Sequence, residues 1–176
     1  AERQWRHCVM PTSTLYQDIA DAIKTRLEAQ IVDLGLVHTR FRRAENWPRF
    51  LDAFKLETSL GEQLIRGWMI TRSTIDPVPE DSAFGRIFRT HLFSIYGMMA
   101  FSDADETASE APWQHPVDDV LNALDTDTTL STFNTEIIRL SQGRCRVVLN
   151  ELRFFGAVLA HTCEIQVTVE TERVVA

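Results

Sequence analysis

The sequence predicts an α+β domain, a two-layer arrangement of one mainly antiparallel or mixed β-sheet against two or three α-helices, with extended loops. Three observations carry that expectation. Leu15, Ile19, Ala22, Ile23, Leu27, Ile31 and Leu34 recur at helical spacing. Residues 160–171 alternate with a period of two: Cys163, Ile165, Val167 and Val169 against Glu164, Gln166, Thr168 and Glu170. Residues 86–101 are rich in Ile, Phe, Tyr and Met on both faces, as in a central strand covered on both sides.

In chain order, Thr14-Leu-Tyr-Gln17 reads as a capping box for the first helix, with Asp18 and Asp21 near its positive end and Gly35 near its stop. A short strand follows over 37–41. Asn46 is placed to cap a second helix carrying Trp47, Phe50, Leu51 and Phe54. Residues 64–72 read as a strand in which Gly67 marks a bulge or a close backbone approach. Gly97 is a candidate bend in the 86–101 strand. Exposed loops are expected at 74–83, 102–112 and 125–135, where Pro, acids, Ser and Thr dominate. Pro116 is placed to open a third helix with Val117, Val120, Leu121 and Leu124 as its stripe. Over 144–152, Cys145, Val147 and Leu149 alternate with Arg146, Val148 and Asn150. No internal repeat or second core is evident, so residues 1–176 are expected to form a single domain.

Composition narrows the function classes. The chain is 44% hydrophobic and 24% charged, which favours folding over disorder. Its formal net charge of −7 argues against nucleic-acid binding by a generally basic surface. Three cysteines, Cys8, Cys145 and Cys163, do not make a disulfide framework and contain no CxxC, so a reducing compartment is expected. Ala1 to Trp5 carry charge where a signal peptide needs an apolar stretch, and no apolar run is long enough for a bilayer; neither secretion nor membrane insertion is expected.

Chemistry-bearing motifs are sparse. His161 and Cys163 would share one face of a strand, but a nucleophile needs its base beside the sulfur and a third group to orient it. A buried thiol near a partly buried imidazole is the simpler reading. His7 with Cys8, His91 and His115 show no zinc spacing. The acids Asp76, Glu80 and Asp81, and likewise Asp103, Asp105 and Glu106, lack an EF-hand pattern. No glycine-rich nucleotide loop occurs. No catalytic residue, metal ligand or cofactor is therefore expected. Arg40, Arg42 and Arg43, and the pair Arg144 and Arg146, are candidate lumen or interface residues; protection of a strand edge or surface ion pairing also accounts for them.

Four stretches together resemble the tail-terminator (tail-completion, head–tail joining) proteins of long-tailed bacteriophages: the helix around Leu15–Lys24, the strand Leu64–Arg72, the aromatic strand through His91–Tyr96 and the closing Gly156–Val169. With their connections they cover most of residues 12–171, as a similarity of pattern and not of strict motif. The resemblance implies a non-enzymatic virion protein at the neck, assembled in the host cytoplasm. Its copies would form a homo-oligomeric, hexameric ring on the end of the tail tube, stopping tube growth and docking to the head connector. DNA would pass through the lumen only in transit. A closed ring needs two different patches per subunit that meet head to tail. Candidate contacts with tube or neighbours are Ile75, Asp76, Pro77 and Glu80 in one segment and Asp127, Leu130 and Phe133 in another. The competing readings are another neck adaptor or a tail-tube subunit, a stand-alone ligand-binding or enzymatic domain, and a small dimeric interaction module.

Overall fold

Three long antiparallel strands form the centre of the sheet, and their pairing follows from the apolar alternation of their sequences. The computed structural model describes residues 15–40, 42, 46–57, 63–77, 86–101, 109–126, 129–133, 136–141 and 145–174. The elements in order are α1 (Leu15–Gln30), β1 (Leu36–His38), α2 (Trp47–Asp52), β2 (Lys55–Glu57), β3 (Gln63–Pro77), β4 (Arg86–Ala100), α3 (Glu110–Asp125), β5 (Thr129–Phe133), β6 (Glu136–Leu140), β7 (Arg146–Phe155) and β8 (Val158–Val174). β4 lies between β3 and β8. β1 and β2 pair with β3, β6 and β7 pair with β8, and β5 extends β6. β1 runs parallel to β3 while every other pair is antiparallel, so this eight-stranded sheet is mixed.

Register defines the two faces, because directly opposed residues share one. Trp68, Gly97 and Cys163 are in register across β3, β4 and β8, as are Ile70, Ile95 and Ile165. This face is covered by α1 and α3. Ile19, Ile23 and Leu27 of α1 and Trp113, Val117 and Val120 of α3 meet Trp68, Ile70, Phe93, Ile95, Ile165 and Val167 in one buried cluster. The opposite face carries a smaller cluster in which Leu51 and Phe54, from α2 and its exit, meet Met69, Met98, Phe155 and Ala160. α2 therefore lies across the sheet from the other two helices.

Several expectations hold at the residue level. Asn46 caps α2, its side chain accepting from the Arg49 N–H at 3.0 Å. Cys163, Ile165, Val167 and Val169 are all buried. Gly67 marks a close approach: a Cβ there would lie 2.6 Å from the Leu36 carbonyl oxygen. Gly97, read from the sequence as a candidate bend, lies in unbroken register between Trp68 and Cys163 and instead makes room for the Trp68 indole, which a Cβ would meet at 2.4 Å.

Others are corrected. Residues 74–77 continue β3 after a register shift between Arg72 and Thr74, with Pro77 tolerated as the strand's last residue; 78–83 lie outside the described residues. Residues 129–133 form β5, since Thr, Leu and Phe suit a strand paired on β6 even in polar company. Of the 102–112 segment, residues 110–112 already belong to α3, and 102–108 lie outside the described residues. α3 begins at Glu110 and Pro116 sits inside it, because burial of Trp113 anchors the turn before the proline. α1 ends at Gln30, and Ala20 is fully buried where the spacing predicts Ala22; Thr14 lies outside the described residues. In β7, a register shift between Val147 and Leu149 breaks the simple alternation. Val147 opposes Ile165 on the helix side, whereas Leu149 opposes Glu164 on the other.

Candidate functional site

The α2 side of the sheet holds a groove of about 580 Å³. Met69, Tyr96 and Met98 line it from the central strands, Trp47 and Phe50 from α2, and Leu149, Arg153 and Phe155 from β7. Its aromatic wall is built from sequence-distant rings: Phe50 stacks on Phe155 with centroids 5.7 Å apart, and Trp47 meets Phe155 edge-on at 5.3 Å. Arg42 and Arg153 add two guanidinium groups. Arg42 lies 3.3 Å from Nδ1 of His38, and Arg153 pairs with Glu151 at 2.8 Å. Glu164 also lines the groove; it accepts from Ser94 Oγ at 2.8 Å and from Gln166 at 3.4 Å. Burial, more than its neighbours, raises the pKa of Tyr96.

The other side of β7 is different. Asn150, Leu152 and Phe154 oppose Cys163, His161 and Leu159, which places them on the helix side. α3 reaches Asn150, where Trp113 Nε1 donates to Oδ1 at 3.0 Å and Nδ2 donates to Gln114 Oε1 at 3.1 Å. Beyond that point Leu152 is 50% and Phe154 69% exposed. Val148, at the register shift, is 49% exposed. Among the described residues β8 is the only strand partner of this ten-residue strand, and none pairs with its outer edge.

His161 and Cys163 do face the same way, but the histidine is engaged elsewhere. Its Nε2 lies 2.9 Å from Ser109 Oγ, and its ring stacks on Trp113 with centroids 6.0 Å apart. Burial lowers its pKa, opposed by Glu110. Burial pushes the Cys163 thiol up to about 12, so it is a thiol at neutral pH. Cys145 is likewise raised to about 12, by burial and then by Asp125. Replacing Cys163 with serine should lower stability by ~1–3 kcal/mol through a buried hydroxyl in an apolar setting, with assembly intact. Denaturant unfolding and native mass on one sample check both halves of that expectation.

The sequence-derived candidates are scattered. Ile75 is exposed near the end of β3, where Asp76 and Pro77 also lie; the side chains of the latter two, and Glu80 altogether, are outside the described residues. Leu130 is half-buried against the main core rather than displayed, and Phe133 is a β5 residue opposed to Glu136. Asp127, Arg43 and Arg144 lie outside the described residues. Arg40 is exposed after β1, and Arg146 donates from β7 to Gln166 Oε1 at 3.2 Å. Of these, Arg42 is the only one among the described residues that reaches the groove. Sequence reasoning missed Arg153, Trp47 and Phe155 as a set, since nothing in their spacing brings them together. Among the described residues no group of acids, histidines and cysteines is arranged to hold a metal ion, and no helix is long and apolar enough to cross a membrane.

No family model and no curated protein matches the chain. Among solved structures it is similar to the sheath/tube terminator of an extracellular contractile injection system (PVC) in the extended state. The TM-score is 0.37 with 14% identity, over 90% of this chain and 58% of that one. A likeness at this level carries no functional argument by itself.

Proposed function

We propose that this chain is a non-enzymatic virion structural subunit of the tail-terminator kind. Its copies form a closed ring on the end of the tail tube, hexameric as the sequence resemblance implies. The ring stops tube growth and provides the surface on which the head connector docks. The observation that supports this most is the β7 strand: a ten-residue edge with no strand partner on its outer side among the described residues, bearing Val148, Leu152 and Phe154 substantially exposed. Soluble monomers usually blunt such edges or cover such side chains, because both favour association. The pair His161 and Cys163 is not set up as a nucleophile and base, since the Cys163 thiol is buried and protonated and His161 is tied to Ser109.

The test is tube capping. Added to polymerising tail-tube protein, the chain should shorten the tubes and appear by imaging as one ring at a tube end. Tubes of unchanged length and bare ends would contradict the reading. Incorporation along the whole tube would favour the alternative of a tube subunit.

A further inference from the structure

The two sides of β7 are complementary to each other and cannot meet within one copy. On the α2 side lies the aromatic groove, with Arg42 and Arg153 among its lining residues. On the helix side stand Leu152 and Phe154, the most exposed large apolar pair of that strand. The helix beside them, α3, is fixed to β7 through Asn150 and carries Glu110, Asp118, Asp119 and Asp125 with no lysine or arginine. Glu110 is close enough to act on His161, the residue opposed to Leu152. One face is thus an apolar knob beside Glu110, and the other an apolar groove where Arg153 is matched by Glu151, Glu164 accepts from Ser94 and Gln166, and Arg42 contacts His38.

We infer that copies of this chain dock head to tail through the β7–β8 hairpin, with Leu152 and Phe154 of one copy seated in the Trp47–Phe155 groove of the next. The inference rests on the ring reading and names its contact. Charge complementarity selects a second copy as the occupant: Glu110, at the end of α3 beside the knob, approaches Arg42, whose guanidinium contacts His38, as the apolar pair enters. The groove volume of about 580 Å³ is within the range that accommodates large apolar groups. Because knob and groove point in opposite directions from one strand, a two-fold dimer cannot satisfy both. Repetition by rotation can, and the ring reading is the case in which that rotation closes.

Two double variants test this: Arg42→Glu with Arg153→Glu on the groove, and Leu152→Asp with Phe154→Asp on the knob. All four positions are exposed, so each variant should keep the wild-type unfolding midpoint. The wild-type chain should run as a ring and each variant alone as a monomer. Mixed in equal amounts, the variants should form a heterodimer and stop, because the mixture supplies one intact groove and one intact knob per pair. Rings that persist in either variant would overturn the head-to-tail contact while leaving the ring reading standing. A mixture that stays monomeric, or that assembles past the dimer, would overturn the contact as well. A wild-type chain that is monomeric at every concentration overturns it too. If that monomer still caps tubes, and the knob and groove variants do not, the occupant is the tube protein and terminator function survives; if it does not cap them, both readings fall.

Discussion

A Gly97→Val chain should fail to fold, or unfold at a far lower denaturant concentration than wild type. Even an alanine Cβ at this position would lie 2.4 Å from the Trp68 ring. The indole has nowhere to go: its Nε1 donates to the Leu34 carbonyl at 2.9 Å, and its plane stacks on Trp113 with centroids 5.8 Å apart. Both tryptophans are fully buried. Overpacking a dense core costs roughly 1–3 kcal/mol when neighbours can shift. Here a rigid ring with a buried hydrogen bond must move, so at least ~3 kcal/mol is expected for valine, a large share of the stability of a typical domain. A urea midpoint equal to wild type would mean that Trp68 does not lie over Gly97, and this packing of the two tryptophans would be wrong.

The second large effect is loss of stability in acid, centred on His91. This residue is 1% exposed; one ring nitrogen lies 3.2 Å from Thr171 Oγ1, and Nδ1 has no partner among the described residues. Burial, then the positive charges of Arg72 and Arg89, lower its pKa from 6.5 to about 4. Between those two values the unfolded chain binds a proton that the folded chain does not. Stability from this site is therefore fully present above pH 6.5 and drains away as pH falls towards 4. The loss is on the order of 2–3 kcal/mol, since a tenfold difference in proton affinity between the two states is equivalent to about 1.4 kcal/mol at most. His91→Leu removes the titration, so the variant should lose less stability than wild type between pH 7 and pH 4 by about that amount. Parallel stability curves for the two chains would refute the assignment.

The legible part of the fold is the part encoded locally. The 163–169 alternation reports a strand with one dry face, and burial of all four apolar residues follows from that periodicity alone. Asn46 and the Ile19–Ile23–Leu27 stripe are equally local. Errors arise where tertiary contacts override local chemistry. Pro116 looks like a helix start, but Trp113 is buried one turn earlier and carries the helix back to Glu110. Thr129–Phe133 looks like a loop until β6 supplies a pairing partner. The shift at Val148 is invisible in the spacing of 144–152, yet it decides which side of β7 each later residue takes. The groove is illegible for the same reason: Arg42, Trp47, Tyr96 and Phe155 come from four segments, and only strand pairing and the docking of α2 unite them. Polar segments look like the natural place for contacts with neighbours, whereas among the described residues the most exposed apolar side chains of the sheet stand on β7.

The most direct measurement is the native mass of the wild-type chain in solution, with imaging of the same sample. Closed rings of one uniform copy number are expected, with no longer filaments, because a head-to-tail contact that closes leaves no free end. A two-fold dimer that grows no further would contradict both the ring and its contact, and open filaments of variable length would contradict the ring.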